Sequence, residues 1–381
     1  MRSYLGTSVF EQAIDRMVKV YEAGHRVVLS FSGGKDSGCT LEICVIAARL
    51  TNRLPVEVVM RDEEIMLPGT FEYAERVADR IDEIDFHWVV ANQPVINIFN
   101  RSAPYFWVFD PQIDPDEWVR QPPARTEYIK EQDILALINA EKFPPPAGKE
   151  LIEVVGLRVQ ESAVRRAGLA SSGGYLTKVG ANGARKCRPI YDWTDGDVWK
   201  AIGDQHWDYN AAYDTMYRMG MKRSSLRIGP PTMTWYSLPA MQIGAKAWPR
   251  WFDRVCARLP GVRTAVMFGK RAVQPERRMG ETWHDTYKRT CIDDAPAEWI
   301  RERSIVVRDY YLHRHGQHAT TPFPDIRPCS ICSRSNASWR NLSFTMYNGN
   351  PFALKMYPML PYVEPEFFRA GAGKWGGKPT W

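Results

Sequence analysis

The sequence has little that would mark a membrane, secreted or fibrous protein. No apolar run, the stretch from Val27 to Phe31 among them, approaches the roughly 20 residues needed to cross a bilayer. The first residues, Met1-Arg2-Ser3-Tyr4-Leu5-Gly6, place no long apolar core after their charge, so no secretory leader is expected. Cysteine is scarce. Seven thiols in 381 residues, an odd number, do not make a disulfide scaffold and point to reduced side chains. No internal repeat is visible. Hydrophobic residues at 44% and charged residues at 25% are ordinary globular usage, which excludes disorder, collagen and coiled coil for the chain as a whole. The expectation is a soluble cytoplasmic protein of roughly two to three domains, with no membrane partner.

What is present is unevenly placed. The net charge is +6, yet Arg218 to Arg278 holds thirteen basic residues against only Asp253 and Glu276, so the rest of the chain is net acidic. Trp235, Tyr236, Trp248, Trp251, Phe252 and Phe268 are interleaved with these cations. Cations neutralise phosphates and rings stack on bases, so the 218–278 window is a candidate surface for nucleic acid or another polyanion. A solvated basic face is the plainer alternative.

Hydrophobic periodicity predicts a helix over 9–23, a buried strand over 26–31, a helix over 37–50, a strand over 56–60, a helix over 71–81 and a strand over 86–90. A Pro- and aromatic-rich stretch, 92–121, reads as an insertion over the C-terminal edge of the sheet. A helix is expected over 129–140, stopped by Pro144-Pro145-Pro146, then strands over 151–157 and 188–191. Helices follow over 194–202, with Thr194 as N-cap, and over 210–218. Alternating strands and helices give an α/β fold with a doubly wound, Rossmann-like parallel sheet over residues 1–225. The alternation then ends. Residues 226–381 read as an appended basic, aromatic-rich and mostly helical region, with helical pieces near 248–258 and 297–313 and a flexible glycine-rich end.

The most informative segment is Ser32-Gly33-Gly34-Lys35-Asp36-Ser37, between an apolar strand and a helix. Paired glycines allow a tight turn and close approach of backbone to a ligand. The following helix start offers unpaired N–H groups and the positive end of a dipole. Ser32 and Ser37 add hydroxyls and Lys35 adds a cation. Asp36 suits an N-cap or a magnesium ion. The spacing is not that of a Walker A loop. It resembles the pyrophosphate loop Ser-Gly-Gly-x-Asp-Ser of the adenine nucleotide alpha-hydrolase (PP-loop ATP pyrophosphatase) superfamily.

Further segments narrow the resemblance. Val155-Gly156-Leu157-Arg158 with Glu161, Ser162 and Arg165 is similar to a stretch of the phosphoadenosine phosphosulfate (PAPS) reductase family. So are Pro189-Ile190-Tyr191-Asp192-Trp193-Thr194-Asp195 with Asp197-Val198-Trp199, and Asp208-Tyr209-Asn210 with Tyr213-Asp214. Together they cover roughly residues 20–225 in the family's order. The nucleophilic Glu-Cys-Gly-(Leu/Ile)-His motif of sulfonucleotide reductases is missing, as are a Cys-Cys pair and a cluster cysteine near Arg227-Ile228-Gly229. The longer chain, with Ser224-Ser225-Leu226-Arg227-Ile228-Gly229-Pro230-Pro231, most resembles the IbrA-like branch, a group described beside a ParB-like partner.

The resemblance implies an enzyme that binds ATP or PAPS with Mg2+. Its leading chemistry is cleavage of ATP to AMP and pyrophosphate to adenylylate a substrate, in the service of sulfur transfer to a nucleic acid. A thiol-dependent PAPS reductase and a non-catalytic nucleotide-sensing subunit with a ParB-like partner are the alternatives. By resemblance Ser30, Ser32, Gly33, Gly34, Lys35, Asp36 and Ser37 line the phosphate site, and Lys35, Asp36 and Arg158 are the catalytic candidates. Gly156, Arg158, Arg165 and Lys186 are candidates for phosphate or sulfate contact. Asp62 lies where the family contacts nucleotide, although the family's Asp-Thr-Gly is here Asp62-Glu63-Glu64.

One motif stands outside this reading. Cys329-Ser330-Ile331-Cys332 follows His313, His315 and His318. Cys329, Cys332, His313 and His318 are candidate ligands for Zn2+. An iron–sulfur site, a redox dithiol and a pair of ordinary loop thiols are the other readings.

Overall fold

The computed structural model describes residues 6–129, 137–172, 174–228, 233–234, 237–332, 337–353, 360–369, 371 and 373–377. The chain forms two compact units. The first comprises Met1–Gln93, Val108–Pro231 and Ile243–Trp251, and the second Pro94–Trp107, Thr232–Gln242 and Phe252–Trp381. No described helix is long and apolar enough to cross a membrane.

The first unit is an α/β structure. It contains α1 (Val9–Glu22), β1 (Arg26–Phe31), α2 (Lys35–Leu50), β2 (Val56–Asp62), α3 (Thr70–Ala78) and β3 (Ile84–Ala91). The second unit takes up the chain for β4 (Pro94–Ile96) and its antiparallel partner β5 (Tyr105–Trp107). The first unit resumes with β6 (Glu127–Ile129), β7 (Leu151–Val155), α4 (Ala163–Ser172), β8 (Leu176–Val179), β9 (Ala184–Cys187), α5 (Asp195–Gln205) and α6 (Ala212–Arg218). Seven strands make one sheet in the order β6-β3-β2-β1-β7-β9-β8. Every pairing is parallel except β8 with β9.

That order reverses at β1. The chain first moves outward through β2, β3 and β6, then returns to lay β7 on the other side of β1, in register from Arg26–Leu151 to Ser30–Val155. The carboxyl ends of two neighbouring strands whose following loops diverge form a crevice, the usual place for a ligand in an open α/β sheet. The loops after β1 and β7 are 32–34 and 156–158, the two segments singled out in the sequence.

Strand alternation sorts the core. Val27, Leu29 and Phe31 of β1 join Val58, Met60, Ile152 and Val154 under α1, α2, α3 and α5. Val28 faces the other way, with Val59, Val89 and Leu151, and is covered by Ile138 and Phe143. Helix α1 is fixed at its start by a capping box: Ser8 Oγ accepts from the Glu11 N–H (3.1 Å), and the Glu11 carboxylate accepts from the Ser8 N–H (2.9 Å). Ser8→Ala should therefore cost about 1 kcal/mol in urea unfolding. The Ser8 bonds also hold the Glu11 carboxyl below its usual range. A depressed carboxyl stabilises the fold above its unfolded pKa and loses that contribution as pH falls, so the gap between wild type and Ser8→Ala should narrow in acid.

Three sequence expectations differ from the fold. Arg188–Tyr191 is a turn, and the strand lies one step upstream at Ala184–Cys187. There only Ala184 and Cys187 are buried, and Arg185 and Lys186 conceal the strand signal. The helix expected over 129–140 begins instead as strand β6 through Ile129 and ends in a turn at 137–140; residues 130–136 lie outside the described residues. The 92–121 stretch is divided, with Pro94–Trp107 in the second unit and the rest in the first.

The second unit is mostly helical. It contains α9 (Val262–Phe268), α10 (Trp283–Tyr287), a π-helical turn at Lys288–Asp293, α11 (Glu298–Gly316), α12 (Trp339–Met346) and α13 (Pro365–Arg369). Helices α7 (Leu238–Ala247) and α8 (Pro249–Arg258) contribute residues to both units. One core cluster joins Tyr287, Cys291, Val307, Tyr311, Phe323, Trp339, Leu342 and Met346. Another joins Tyr105, Trp107, Trp299, Ile300, Val363 and Phe368.

Candidate functional site

The turn after β1 has the conformation its glycines suggest. Gly33 has φ +69°, and a Cβ there would stand 2.6 Å from Thr70 Cγ2. Gly34 is the N-cap of α2 and offers no side chain to the first helical turn, which leaves that turn to other partners. The Lys35 N–H donates to the Tyr213 hydroxyl (3.0 Å). Ser37 Oγ donates to the Gly34 carbonyl (2.9 Å), accepts from the Ser32 N–H (3.3 Å) and lies 3.1 Å from Ser32 Oγ. Asn210, fully buried, donates to the Gly33 carbonyl (3.0 Å) and to Thr70 Oγ1 (2.9 Å). Burial pushes the Tyr213 phenol up, so it remains a neutral partner. The Tyr-Asn segment thus holds the loop from behind.

Two cations converge on this turn. The Lys35 and Arg158 side chains are 3% and 4% exposed, so neither is a surface charge. Arg158 Nε donates to Asp36 Oδ1 (2.6 Å), and Lys35 Nζ lies 3.4 Å from Asp36 Oδ2. Both also meet Asp195 at the start of α5, at 3.3 Å from Lys35 and 3.7 Å from Arg158. Exposed Arg223 reaches the same carboxylate at 3.4 Å. Burying a cation is costly unless it is paired, and two carboxylates supply the pairing here. Phosphate oxygens can take over those same bonds.

Gly156 explains how β7 reaches the site. A Cβ at this position would stand 2.8 Å from the carbonyl carbon and oxygen of Asp36 and 2.9 Å from the Ser37 nitrogen, all backbone atoms. Only glycine lets the end of β7 pass the first turn of α2 and deliver Arg158 to Asp36. Beyond it, Leu157, Arg158, Arg165, Leu169, Arg188 and Tyr191 help line a cavity of about 220 Å³. Arg165 pairs with Glu161, and burial together with nearby Arg227 pushes its guanidinium pKa down.

The remaining candidates sit differently. Ser30 lies within β1, in register with Val59 and Val155. Asp62 is fully buried at the end of β2. It accepts from the Trp88 indole (2.9 Å) and the Glu64 N–H (3.0 Å) and pairs with Arg120. Glu64, also fully buried, accepts from the N–H groups of Phe109 (2.6 Å) and Val119 (3.0 Å). These carboxylates thus tie 108–120 to the C-terminal end of β2. Between them, Glu63 is held up in pKa by burial against the pull of Arg61. Lys186 lies within β9, 3.7 Å from Glu153, rather than in a loop. Sequence reasoning missed Asp195 as a site residue; it stood in the 189–195 segment with no role in the site assigned to it.

In the second unit the helix phase decides the cysteine–histidine group. His315, His318, Cys329 and Cys332 bring their ligand atoms within 4.8 Å of one another. His313, two residues before His315 on α11, points elsewhere, with Nε2 3.1 Å from Gln317 Nε2. Neighbours two apart on a helix lie on opposite faces, so the expected His313 gives its place to His315.

In the basic window the described cations are exposed apart from half-buried Arg258. Its rings are less available. Phe252 is buried, Trp248 and Trp251 pack against a core cluster with Leu67 and Tyr213, and Phe268 is exposed. Trp235 and Tyr236 lie outside the described residues.

No family model matches the chain. It is similar to the uncharacterized protein YbdN of Escherichia coli strain K12, 23% identical over 382 aligned positions that cover 91% of this chain and 89% of that one. Among solved structures, the FMN adenylyltransferase of Candida glabrata with FMN and an ATP analogue is 11% identical. The match spans 56% of this chain and 63% of that one, at a TM-score of 0.33. The PAPS reductase of Candida auris in a phosphate complex is 11% identical over 58% of this chain and 95% of that one, at 0.32. The U34-tRNA thiolase NcsA of Methanococcus maripaludis with its [4Fe-4S] cluster is 12% identical over 71% and 81%, also at 0.32. Likeness at this level decides neither family nor reaction.

Proposed function

We propose that the first unit is an ATP-dependent enzyme that cleaves ATP to AMP and pyrophosphate and adenylylates an acceptor. The observation that carries this reading is the convergence of Lys35 and Arg158, both buried, on the start of α2 where the strand order reverses. The loop 32–37 holds the β- and γ-phosphates. An acceptor oxygen attacks the α-phosphorus, the bond to the bridging oxygen breaks, and pyrophosphate leaves with its charge balanced by Lys35 and the α2 N-terminus. Magnesium arrives with the nucleotide, and Asp36 is the carboxylate in the loop that would face it. Asp195 keeps Lys35 and Arg158 in place before the phosphates arrive.

The thiols of the first unit offer no nucleophile for a thiol-dependent PAPS reductase. Cys39, Cys44 and Cys187 are all buried, and burial pushes each thiol pKa up, Cys187 to about 12. A nucleophilic thiol needs the opposite environment. Sulfur transfer to a nucleic acid, its phosphates neutralised by the exposed first-unit cations Arg218, Lys222, Arg227, Lys246 and Arg250, is the acceptor chemistry we favour.

The test is pyrophosphate release from Mg–ATP by the full chain with a candidate thiolation acceptor, against the Lys35→Met and Arg158→Met variants. Each variant should lose about 100-fold or more, the scale of losing one preorganised charge donor. Tight ATP binding without release would support the nucleotide-sensing alternative instead. Equal release from wild type and both variants would overturn the assignment.

A further inference from the structure

We propose that His315, His318, Cys329 and Cys332 bind one zinc ion in a closed, tetrahedral, structural site within the second unit. The inference is independent of the chemistry of the first unit. The side chains come from the C-terminal end of α11, His318 just beyond it, and a Cys-x-x-Cys turn that begins eleven residues after His318.

The geometry is that of a single ion. His315 Nδ1 lies 3.2 Å from Cys332 Sγ, and His318 Nε2 lies 3.4 Å from both Cys329 Sγ and Cys332 Sγ. Ligands at about 2.3 Å for sulfur and about 2.0–2.1 Å for nitrogen, set tetrahedrally around one zinc, bring their atoms to such mutual distances. A cluster of several irons would spread the four side chains wider. Two thiolates with two imidazoles are also the donor set that suits zinc rather than a hard cation.

The surroundings point the same way. His315 is buried, and its Nε2 lies 3.0 Å from the Thr321 carbonyl. A carbonyl can only accept, so Nε2 is the nitrogen that donates to it, and Nδ1 is the one turned toward the Cys332 sulfur. Anchoring one ring nitrogen to a carbonyl while the other meets the metal is the usual outer-sphere arrangement of zinc histidines. The Cys329 N–H donates to the Ala337 carbonyl (2.9 Å), which pins the turn that presents both sulfurs. A disulfide between Cys329 and Cys332 would give no reason for two imidazoles to converge on the sulfurs. Phe323 and Trp339 pack with Cys332 in the core beneath, while exposed His318 leaves a path for the ion to enter. Four protein ligands fill the tetrahedron, so the ion has no open position and its role is to join the end of α11 to the 329–332 turn.

The full chain, purified without chelator or added metal, should carry about one zinc per molecule by elemental analysis. A mercurial thiol reagent should release that zinc to a chromogenic chelator. His315→Ala and Cys332→Ser should each lower the content at least tenfold, whereas His313→Ala should retain it. Those ligand variants are liable to misfold, so a second measurement uses wild-type protein: Co2+ exchanged into the site should give tetrahedral visible bands with thiolate charge-transfer absorption. Wild-type protein that carries no zinc and takes up no Co2+ would overturn the proposal. So would full zinc content in Cys332→Ser, or loss of zinc in His313→Ala alone, or iron in place of zinc.

Discussion

Gly156→Ala should leave the protein folded and weaken Mg–ATP binding by about 100-fold, or ~2.7 kcal/mol. The added methyl meets only backbone at 2.8–2.9 Å, the Asp36 carbonyl group and the Ser37 nitrogen, so no flexible side chain can move aside. Either the first turn of α2 or the end of β7 must shift. In both cases the distance of 2.6 Å from Arg158 to Asp36 changes and the cations no longer converge on the loop. The strain itself should cost about 1–3 kcal/mol of stability, tolerable for a domain of this size. Gly203→Ala in α5 is the matched control. A Cβ there meets nothing within 4 Å, so nucleotide affinity should be unchanged. Titration calorimetry on both variants checks the pair. Wild-type affinity in Gly156→Ala would place the nucleotide elsewhere.

Asp62→Ala should destabilise the first unit by about 3–5 kcal/mol in urea unfolding, the cost of removing one partner from a buried ion pair. Its carboxylate, fully buried, gathers the Arg120 guanidinium, the Trp88 indole N–H and the Glu64 N–H, all of which would lose their acceptor. Asp62→Asn keeps one oxygen and should cost less. If Asp62 acts through Arg120, the double variant with Arg120→Met should be less destabilised than the two single losses added together. Simple additivity would mean that Asp62 does not act through Arg120. The resemblance in sequence marks Asp62 as a nucleotide contact. Its bonds make it, together with Glu64, an anchor of the 108–120 segment.

Much of the first unit is legible because its signals are local. The alternation of Val27, Leu29 and Phe31 with Val28, the glycine pair at 33–34 and the apolar run after it are short-range patterns, and they yield β1, the loop and α2 directly. What the sequence withholds arises from long-range packing. Asp195 comes to Lys35 only because α5 runs back over α2, and Tyr213 comes to the Lys35 N–H from 178 residues away. Strand β9 escapes notice because an Arg-Lys pair stands where a buried strand would show apolar residues. The choice of His315 over His313 depends on the phase of α11, which spacing alone does not settle. The rings of the basic window look like a stacking surface in sequence, yet Phe252 is buried and Trp251 packs against a core cluster.

The most direct measurement is a thermal-shift titration of the full chain with Mg–ATP and, separately, with PAPS at equal concentrations. A ligand at about 100 times its dissociation constant stabilises the native state by roughly 2.7 kcal/mol, enough to move the transition clearly. Stabilisation by Mg–ATP well beyond that by PAPS, lost in Gly156→Ala and kept in Gly203→Ala, is the expected result. Stabilisation by PAPS alone, or by neither nucleotide, would contradict the assignment of the 32–37 loop to ATP.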